Sequence, residues 1–218
     1  MDFRVLPVTP FEQNCTLLWC ERTRRAAVVD PGGEPGRILA LLESLALTPE
    51  CILLTHGHID HVGATGELAP RLEVPIIGPH REDAFLIQSL PAQCELFGFP
   101  PVLDFEPDRW LVGGDEVTVG DQVLSVIHCP GHTPGHVVFF DADGRLAQVG
   151  DVLFRGSIGR TDFPRGNRAQ LIASITERLF PLGDDVRFIP GHGPMSTLGV
   201  ERRENPYVGE RAIARRHI

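Results

Sequence analysis

Two rhythms of apolar and polar positions alternate through the first third of the chain. Phe3 to Val8, Cys15 to Cys20 and Ala26 to Val29 are short apolar runs separated by turn-forming stretches at Pro10 to Asn14 and Glu21 to Arg25, and they predict a meander of three strands. Asp30-Pro31-Gly32-Gly33 then breaks the chain. After it Ile38, Leu41, Leu42 and Leu45 recur at helical spacing and predict a helix over Pro35 to Leu47. Cys51 to Leu54 has the length of a buried strand, a helix is expected within His61 to Leu72, and Val74 to Ile77 reads as a further strand.

From His80 to Trp110 the rhythm loosens. A helix over Asp83 to Leu90 is followed by Pro91, Gly98, Pro100, Pro101 and Pro107, with Phe97, Phe99, Phe105 and Trp110 between them. This stretch is too apolar for a linker and is predicted to be an ordered insertion folded against the body. Val117 to Val119, Val123 to His128, Val137 to Phe140 and Leu146 to Val149 restore a strand-and-turn pattern. Leu171, Ile172, Ile175 and Leu179 predict an amphipathic helix over Arg168 to Leu179, and Val186 to Ile189 a last strand. The alternation of β and α favours layers of sheet and helix over an all-β fold. No repeat or domain boundary is evident, so a single domain over residues 1–218 is expected.

Composition narrows the function classes. At 218 residues and 42% hydrophobic content the chain can bury a real core. A net charge of −9 argues against a general nucleic-acid binder. All 20 basic residues are arginine, which excludes lysine Schiff-base chemistry and leaves cationic anchoring to guanidinium groups. The five cysteines (15, 20, 51, 94 and 129) contain no Cys-x-x-Cys, so neither a disulfide framework nor a zinc ribbon is suggested. Reduced thiols, the lack of an apolar signal segment and the lack of any run of membrane-spanning length all point to the cytoplasm, with no membrane or nucleic-acid partner.

The candidate chemistry centres on Thr55 to Gly63, where His56, His58, Asp60 and His61 fall within six residues after the Cys51 to Leu54 strand. Imidazole and carboxylate are the usual protein ligands of zinc and similar divalent metals, and a tight glycine-containing loop at a strand end lets such side chains converge. Three more stretches repeat the design of a β-like run ending in a glycine-containing loop with a ligand-type residue. They carry His132 (in His128-Cys129-Pro130-Gly131-His132), Asp151 (after Val149-Gly150) and His192 (in Pro190-Gly191-His192-Gly193-Pro194). His128 and His136 read as packing or supporting groups, His80 and His217 as solvated surface, and Cys129 as a small buried residue; Thr55 and Thr133 are candidates to hydrogen-bond ligands.

Together these loops resemble the signature of the metallo-β-lactamase fold, an αββα sandwich in the α/β (α+β) class whose loops at one edge of two facing sheets hold one or two metals. The resemblance implies one metal on His56, His58 and His132, and a second on Asp60, His61 and His192, with Asp151 bridging both. Zinc is the first choice, with iron or manganese also compatible with such ligands. Gly150 to Gly166, together with Gln13 to Cys20, Pro190 to Val208 and the insertion, resembles the short bacterial subgroup of the glyoxalase II branch. That likeness implies a thioester hydrolase acting on a small glutathione thioester, S-D-lactoylglutathione. A hydroxide bridging the metals would attack the carbonyl; Asp60 and Asp151 are the protein groups nearest that chemistry, Asp60 as ligand in preference to base. Arg160 matches the position where a basic residue grips a glutathione carboxylate. The sequence departs from the long enzymes of that branch: no C-terminal helical domain follows His192, and Pro194 stands where they carry a tyrosine. Persulfide dioxygenases share a stretch similar to Gly159 to Phe163 and imply an alternative, a single iron on His56, His132 and Asp151 acting on glutathione persulfide.

Overall fold

The computed structural model describes residues 1–210, so His217 lies outside the described residues. The N-terminal half contains β1 (Asp2–Val8), β2 (Gln13–Trp19), β3 (Arg25–Val29), α1 (Pro35–Ser44), β4 (Thr48–Leu53), α2 (Ile59–Val62), α3 (Thr65–Leu72), β5 (Ile76–Ile77), α4 (Ala84–Gln88) and α5 (Leu90–Phe97). The C-terminal half contains β6 (Glu116–Val119), β7 (Gln122–His128), β8 (Val137–Asp141), β9 (Leu146–Gly150), a hairpin of β10 (Leu153–Phe154) and β11 (Ser157–Ile158), α6 (Arg168–Ala173), β12 (Arg187–Pro190), β13 (Ser196–Thr197) and α7 (Leu198–Glu204). One sheet runs β1-β2-β3-β4-β5 and the other β13-β12-β9-β8-β7-β6.

The side-chain alternation of the strands shows how the layers stack. In β4 and the residue after it, Cys51 and Leu53 enter the core between the sheets, whereas Ile52 and Leu54 face a core shared with α1, α3, α4 and α5. In β8, Val137 and Phe139 point between the sheets while Val138 and Phe140 meet Leu171 of α6 and Leu198 of α7. Strands covered on both faces need apolar residues at every position, which is why Cys51 to Leu54 and Val137 to Phe140 read as unbroken apolar runs. The result is the four-layer αββα sandwich that the sequence led us to expect.

Several local features differ from that expectation. Pro91 does not end the helical part of the insertion; it lies in the first turn of α5, where its missing N–H costs no hydrogen bond. The helix expected over Arg168 to Leu179 forms, but widens after Ala173 into a π-helical stretch, with Leu171, Ile175 and Leu179 still buried. The β10–β11 hairpin, β13 and α7 had no clear periodicity to announce them. His80 is not a solvated surface residue: it stacks on His128 with ring centroids 4.4 Å apart, and its Nδ1 accepts from the Glu82 N–H. As anticipated, the insertion packs on the body, with Phe97, Phe99, Phe105 and Trp110 against the helical face of the first sheet.

Strand direction sets the place of the site. β3 and β4 are parallel to each other, as are β9 and β12, and their carboxyl ends open at one edge of the sandwich. The two sheets are tied there by Asn14 N–H donating to the Gly191 carbonyl (2.7 Å) and Val137 N–H to the Thr55 carbonyl (2.8 Å). Among the described residues no helix is long and apolar enough to cross a membrane.

Candidate metal centre

The loop after β4 turns directly into α2. His58 keeps an extended backbone as the residue before the helix, which places Asp60 and His61 on the first turn. The loops after β7, β9 and β12 bring His132, Asp151 and His192 to the same edge. His56 Nε2 and His132 Nε2 each lie 3.0 Å from His58 Nδ1. Tetrahedral coordination at a metal–nitrogen distance of about 2.0–2.1 Å places ligand nitrogens roughly 3.3 Å apart, so this spacing suits a shared ion. A second group follows: Asp60 Oδ2 is 3.1 Å from His192 Nε2 and 3.8 Å from His61 Nε2. Asp151 stands between the two, with Oδ1 3.3 Å from His61 Nε2 and Oδ2 3.5 Å from His132 Nε2. All seven residues named from the sequence are therefore brought together.

The ring nitrogens that face away from the centre have partners that dictate each tautomer. His56 Nδ1 lies 3.0 Å from Thr55 Oγ1, His132 Nδ1 donates to the Arg160 carbonyl (2.7 Å), His192 Nδ1 to the Phe11 carbonyl (3.0 Å), and His61 Nδ1 to Asp30 Oδ2 (2.9 Å). With the proton on Nδ1, each of these rings turns an Nε2 lone pair inward. His61 Nε2 and Asp151 Oδ1 are buried, face each other at 3.3 Å and have no well-formed hydrogen bond, an arrangement that a cation accepting both lone pairs would satisfy.

The electrostatics agree with that donor set. Burial first, and neighbouring imidazoles after it, push His56 far below the usual imidazole range and His58 down to about 3; His132 is lowered by burial as well. These three are neutral donors. Burial alone would also lower His61, but the Asp151 and Asp60 carboxylates together raise it well above its ordinary value. Asp151 is driven the opposite way: burial opposes its charge, and His61, His132 and His192 together hold it far below the carboxylate range. The arrangement joins three neutral imidazoles to a cluster whose carboxylates demand positive charge, which fits a pair of divalent ions.

Sequence reasoning missed the groups that hold the ligands. Asp30, fully buried at the end of β3, accepts from the Thr55 N–H (2.8 Å), the Thr55 hydroxyl (2.6 Å) and His61. Its signal was present, since Asp30 followed by Pro31-Gly32-Gly33 repeats the strand-then-glycine-loop design. Gly32 is required there, because a Cβ would overlap the Asp60 carbonyl. Asp83, from the insertion, accepts from the Gly57 N–H (3.0 Å), the Gly135 N–H (2.6 Å) and the Thr133 hydroxyl (2.7 Å). It thus ties two ligand loops together, and Thr133 binds this carboxylate rather than a ligand. Burial raises Asp83 to about 6 despite those three donors. Nothing in the loose pattern of the insertion singled it out. Thr55 does contact a ligand, and His136 supports the site as expected: its Nε2 accepts from the Asp151 N–H (3.0 Å), and its ring stacks on His56 at 4.7 Å. His128 donates to the Pro134 carbonyl and Cys129 is fully buried, both as read.

The ligands open into a cleft of about 810 Å³. Phe163 closes one side, 4.8 Å from the His58 ring and 5.8 Å from His132, and Phe11, Phe97 and Phe154 line the His192 side. Arg160 also lines the cleft, but its guanidinium is engaged: Nε and Nη2 donate to Asp162 at 3.0 and 2.8 Å, and the group lies 4.5 Å over the Phe163 ring.

Comparison with known proteins agrees with this geometry. The profile of the metallo-beta-lactamase superfamily matches residues 8–192. The chain is 46% identical to the hydroxyacylglutathione hydrolase GloC of Haemophilus influenzae, over 97% of this chain and 100% of that protein. Among solved structures it is similar to the B3 metallo-beta-lactamase BLEG-1, with a TM-score of 0.88 and 34% identity over 95% of this chain and 99% of that one. It is also similar to TTHA1623 in a di-iron-bound form, with a TM-score of 0.86 and 38% identity over 94% of this chain and 99% of that one.

Proposed function

The chain belongs to the metallo-β-lactamase superfamily and is a metallohydrolase, and from that premise we propose that it is a binuclear thioester hydrolase acting on glutathione thioesters, S-D-lactoylglutathione first among them. The observation that carries this reading is the position of Asp151, whose two oxygens face His61 on one side and His132 on the other. Two complete ligand groups sharing one carboxylate favour a binuclear hydrolase over the single-iron dioxygenase, which needs neither Asp60 nor His192. The relative named hydroxyacylglutathione hydrolase supports the substrate class.

In this reading His56 Nε2, His58 Nδ1 and His132 Nε2 would hold one ion, Asp60, His61 and His192 a second, and Asp151 would serve both groups. Zinc is the proposed metal, with iron the principal alternative given the di-iron relative. A divalent ion bound by these residues would lower the pKa of a bound water and act as a Lewis acid towards the carbonyl. Asp60 and Asp151 fix the geometry on the water side. Phe163 packs beside the His58 and His132 rings and forms one wall of the cleft. The C–S bond breaks to release a thiolate whose conjugate acid has a pKa of about 8.5, so the leaving group needs little acid assistance. That accounts for a site with no nucleophilic serine or reactive thiol: Cys129 and Cys15, buried, are pushed up to about 12 and beyond. Five unpaired cysteines, all buried, support a cytoplasmic location.

Anaerobic assay of thiol release from S-D-lactoylglutathione, with metal quantified in the same sample, tests the proposal. Turnover with about two metals per chain is the expected result. Oxygen consumption with glutathione persulfide and about one iron per chain, without thiol release, would overturn it. Asp151→Ala is expected to lower metal content and hydrolysis together, and full activity at normal loading would remove its bridging role.

A further inference from the structure

Two arginines line the cleft, and they differ in what they have left to offer. Arg160 is committed to Asp162 and Phe163. Arg155, exposed at the turn of the β10–β11 hairpin, has no ion pair or hydrogen bond for its guanidinium among the described residues. Of the two arginines that line the cleft, Arg155 is thus the one whose guanidinium carries no acid partner.

The turn that presents it is pinned. Glu201, buried in α7, accepts from the Gly156 N–H (2.8 Å) and from the Ser196 hydroxyl (2.6 Å). Asn205, also buried, donates to the Ser157 carbonyl (3.0 Å) and to Glu201 Oε2 (2.9 Å). Burying two polar side chains is costly unless every group is satisfied, and here they are satisfied by the backbone of this short hairpin. The backbone that presents Arg155 is therefore held in place at the cleft, while its guanidinium is left free to meet an anion there.

We propose that Arg155 is the anchor for a carboxylate on the thiol half of the substrate, so that the enzyme selects thioesters of anionic thiols; this rests on the thioester-hydrolase reading. The acyl half of a hydroxyacyl thioester carries no carboxylate, so the charge Arg155 can recognise lies on the leaving thiol. Arg160 already directs Nε and Nη2 to Asp162, and we assign it the lesser role.

The test uses metal-loaded wild-type, Arg155→Gln and Arg160→Gln proteins. Glutathione binding is measured by calorimetry, and turnover with S-D-lactoylglutathione and with S-lactoyl-N-acetylcysteamine, which has no carboxylate. For Arg155→Gln the Kd for glutathione and the KM for its thioester are expected to rise about tenfold or more, the scale of one charge-assisted hydrogen bond, with kcat within about twofold and the neutral thioester unaffected. Arg160→Gln is expected to shift the same constants less than about threefold, because the Nε and Nη2 fork of Arg160 already faces Asp162. An unchanged glutathione Kd in Arg155→Gln, an equal loss on the neutral thioester, or no measurable glutathione binding by the wild type overturns the anchor. If the wild type hydrolyses neither thioester yet glutathione binding still depends on Arg155, the anchor stands and the hydrolase reading falls.

Discussion

Asp30→Asn changes one atom of a buried carboxylate and is expected to disable one ligand without touching it. Asp30 Oδ1 accepts from the Thr55 N–H, and Oδ2 accepts from both the Thr55 hydroxyl and His61 Nδ1–H. An asparagine must turn its carbonyl oxygen to the Thr55 N–H, which leaves its NH₂ facing His61 Nδ1. Either two donors then oppose each other in a dry site, or the His61 proton moves to Nε2, the atom aimed at Asp60 and Asp151. The first outcome leaves a buried donor unsatisfied at a cost of about 1–3 kcal/mol. The second removes the lone pair that makes His61 a ligand. Losing a supporting partner of this kind typically weakens metal binding about 10–100-fold, or roughly 1.4–2.7 kcal/mol. The loss should fall first on the Asp60–His61–His192 group; His132, held by the Arg160 carbonyl, is spared, and His56 feels the change only through the Thr55 hydroxyl. Titration of apoprotein with zinc against a chromophoric chelator reads the two affinities separately. One affinity should be weakened by the factor above and the other should change less. Two unchanged affinities would show that Asp30 does not set the His61 tautomer.

Other consequences follow from the groups around the ligands. Asp83 has its pKa raised to about 6, above an unfolded value near 3.9, so the folded state holds the extra proton between those values. The stability this contributes is full below about pH 4 and is lost as pH rises through about 6, a change of about 3 kcal/mol. Urea unfolding of wild type and Asp83→Asn at several pH values should show the wild-type advantage shrinking by about that amount across this window, and a constant difference would refute the burial argument. A Cβ at Gly191 would overlap Asp151 Oδ1 and crowd His61 Cε1, so Gly191→Ala is expected to retain the fold by circular dichroism while losing most metal, as measured by elemental analysis. Phe163→Ala removes the ring over His58 and His132 and is expected to lower kcat more than it lowers metal content; a parallel fall in both would place Phe163 in metal retention.

The parts of the site that were legible in the sequence share a local cause. A strand buried on both faces must be apolar throughout, so the polar residue that ends it stands out, as His56 does after Leu54 and His192 after Ile189. The glycines beside them mark the tight turns that let side chains converge. Asp30 obeys the same rule and could have been found by it. Asp83 and Arg155 could not, because their significance lies in partners far along the chain. Asp83 acts through Gly57 and Gly135, and Arg155 is set in place by Glu201 and Asn205. Pro91 was misleading for a related reason: proline breaks a helix or begins one according to its place in the first turn, and the aperiodic sequence around it does not say which.

The same division separates reaction from specificity. The seven ligand-type residues sit on loops at carboxyl ends of strands whose positions are fixed by the sheets, so metal chemistry follows from the fold itself. The cleft walls come from elsewhere: Phe97 from the insertion, Phe11 from the β1–β2 turn, Phe154 and Arg155 from the hairpin, Phe163 from the loop after it. Phe11 packs edge-on against Phe97 and Phe99 at 6.2 and 5.4 Å, so the insertion and the first turn form one wall beside His192, whose Nδ1 donates to the Phe11 carbonyl. A change in that wall should therefore alter which thioester is accepted and also the binding of the second ion. On the hairpin Phe154 stands 6.3 Å from the His192 ring, whereas Arg155 makes no hydrogen bond or ion pair with a ligand residue, which makes Arg155 the place where substrate choice can change while the metal site is left intact.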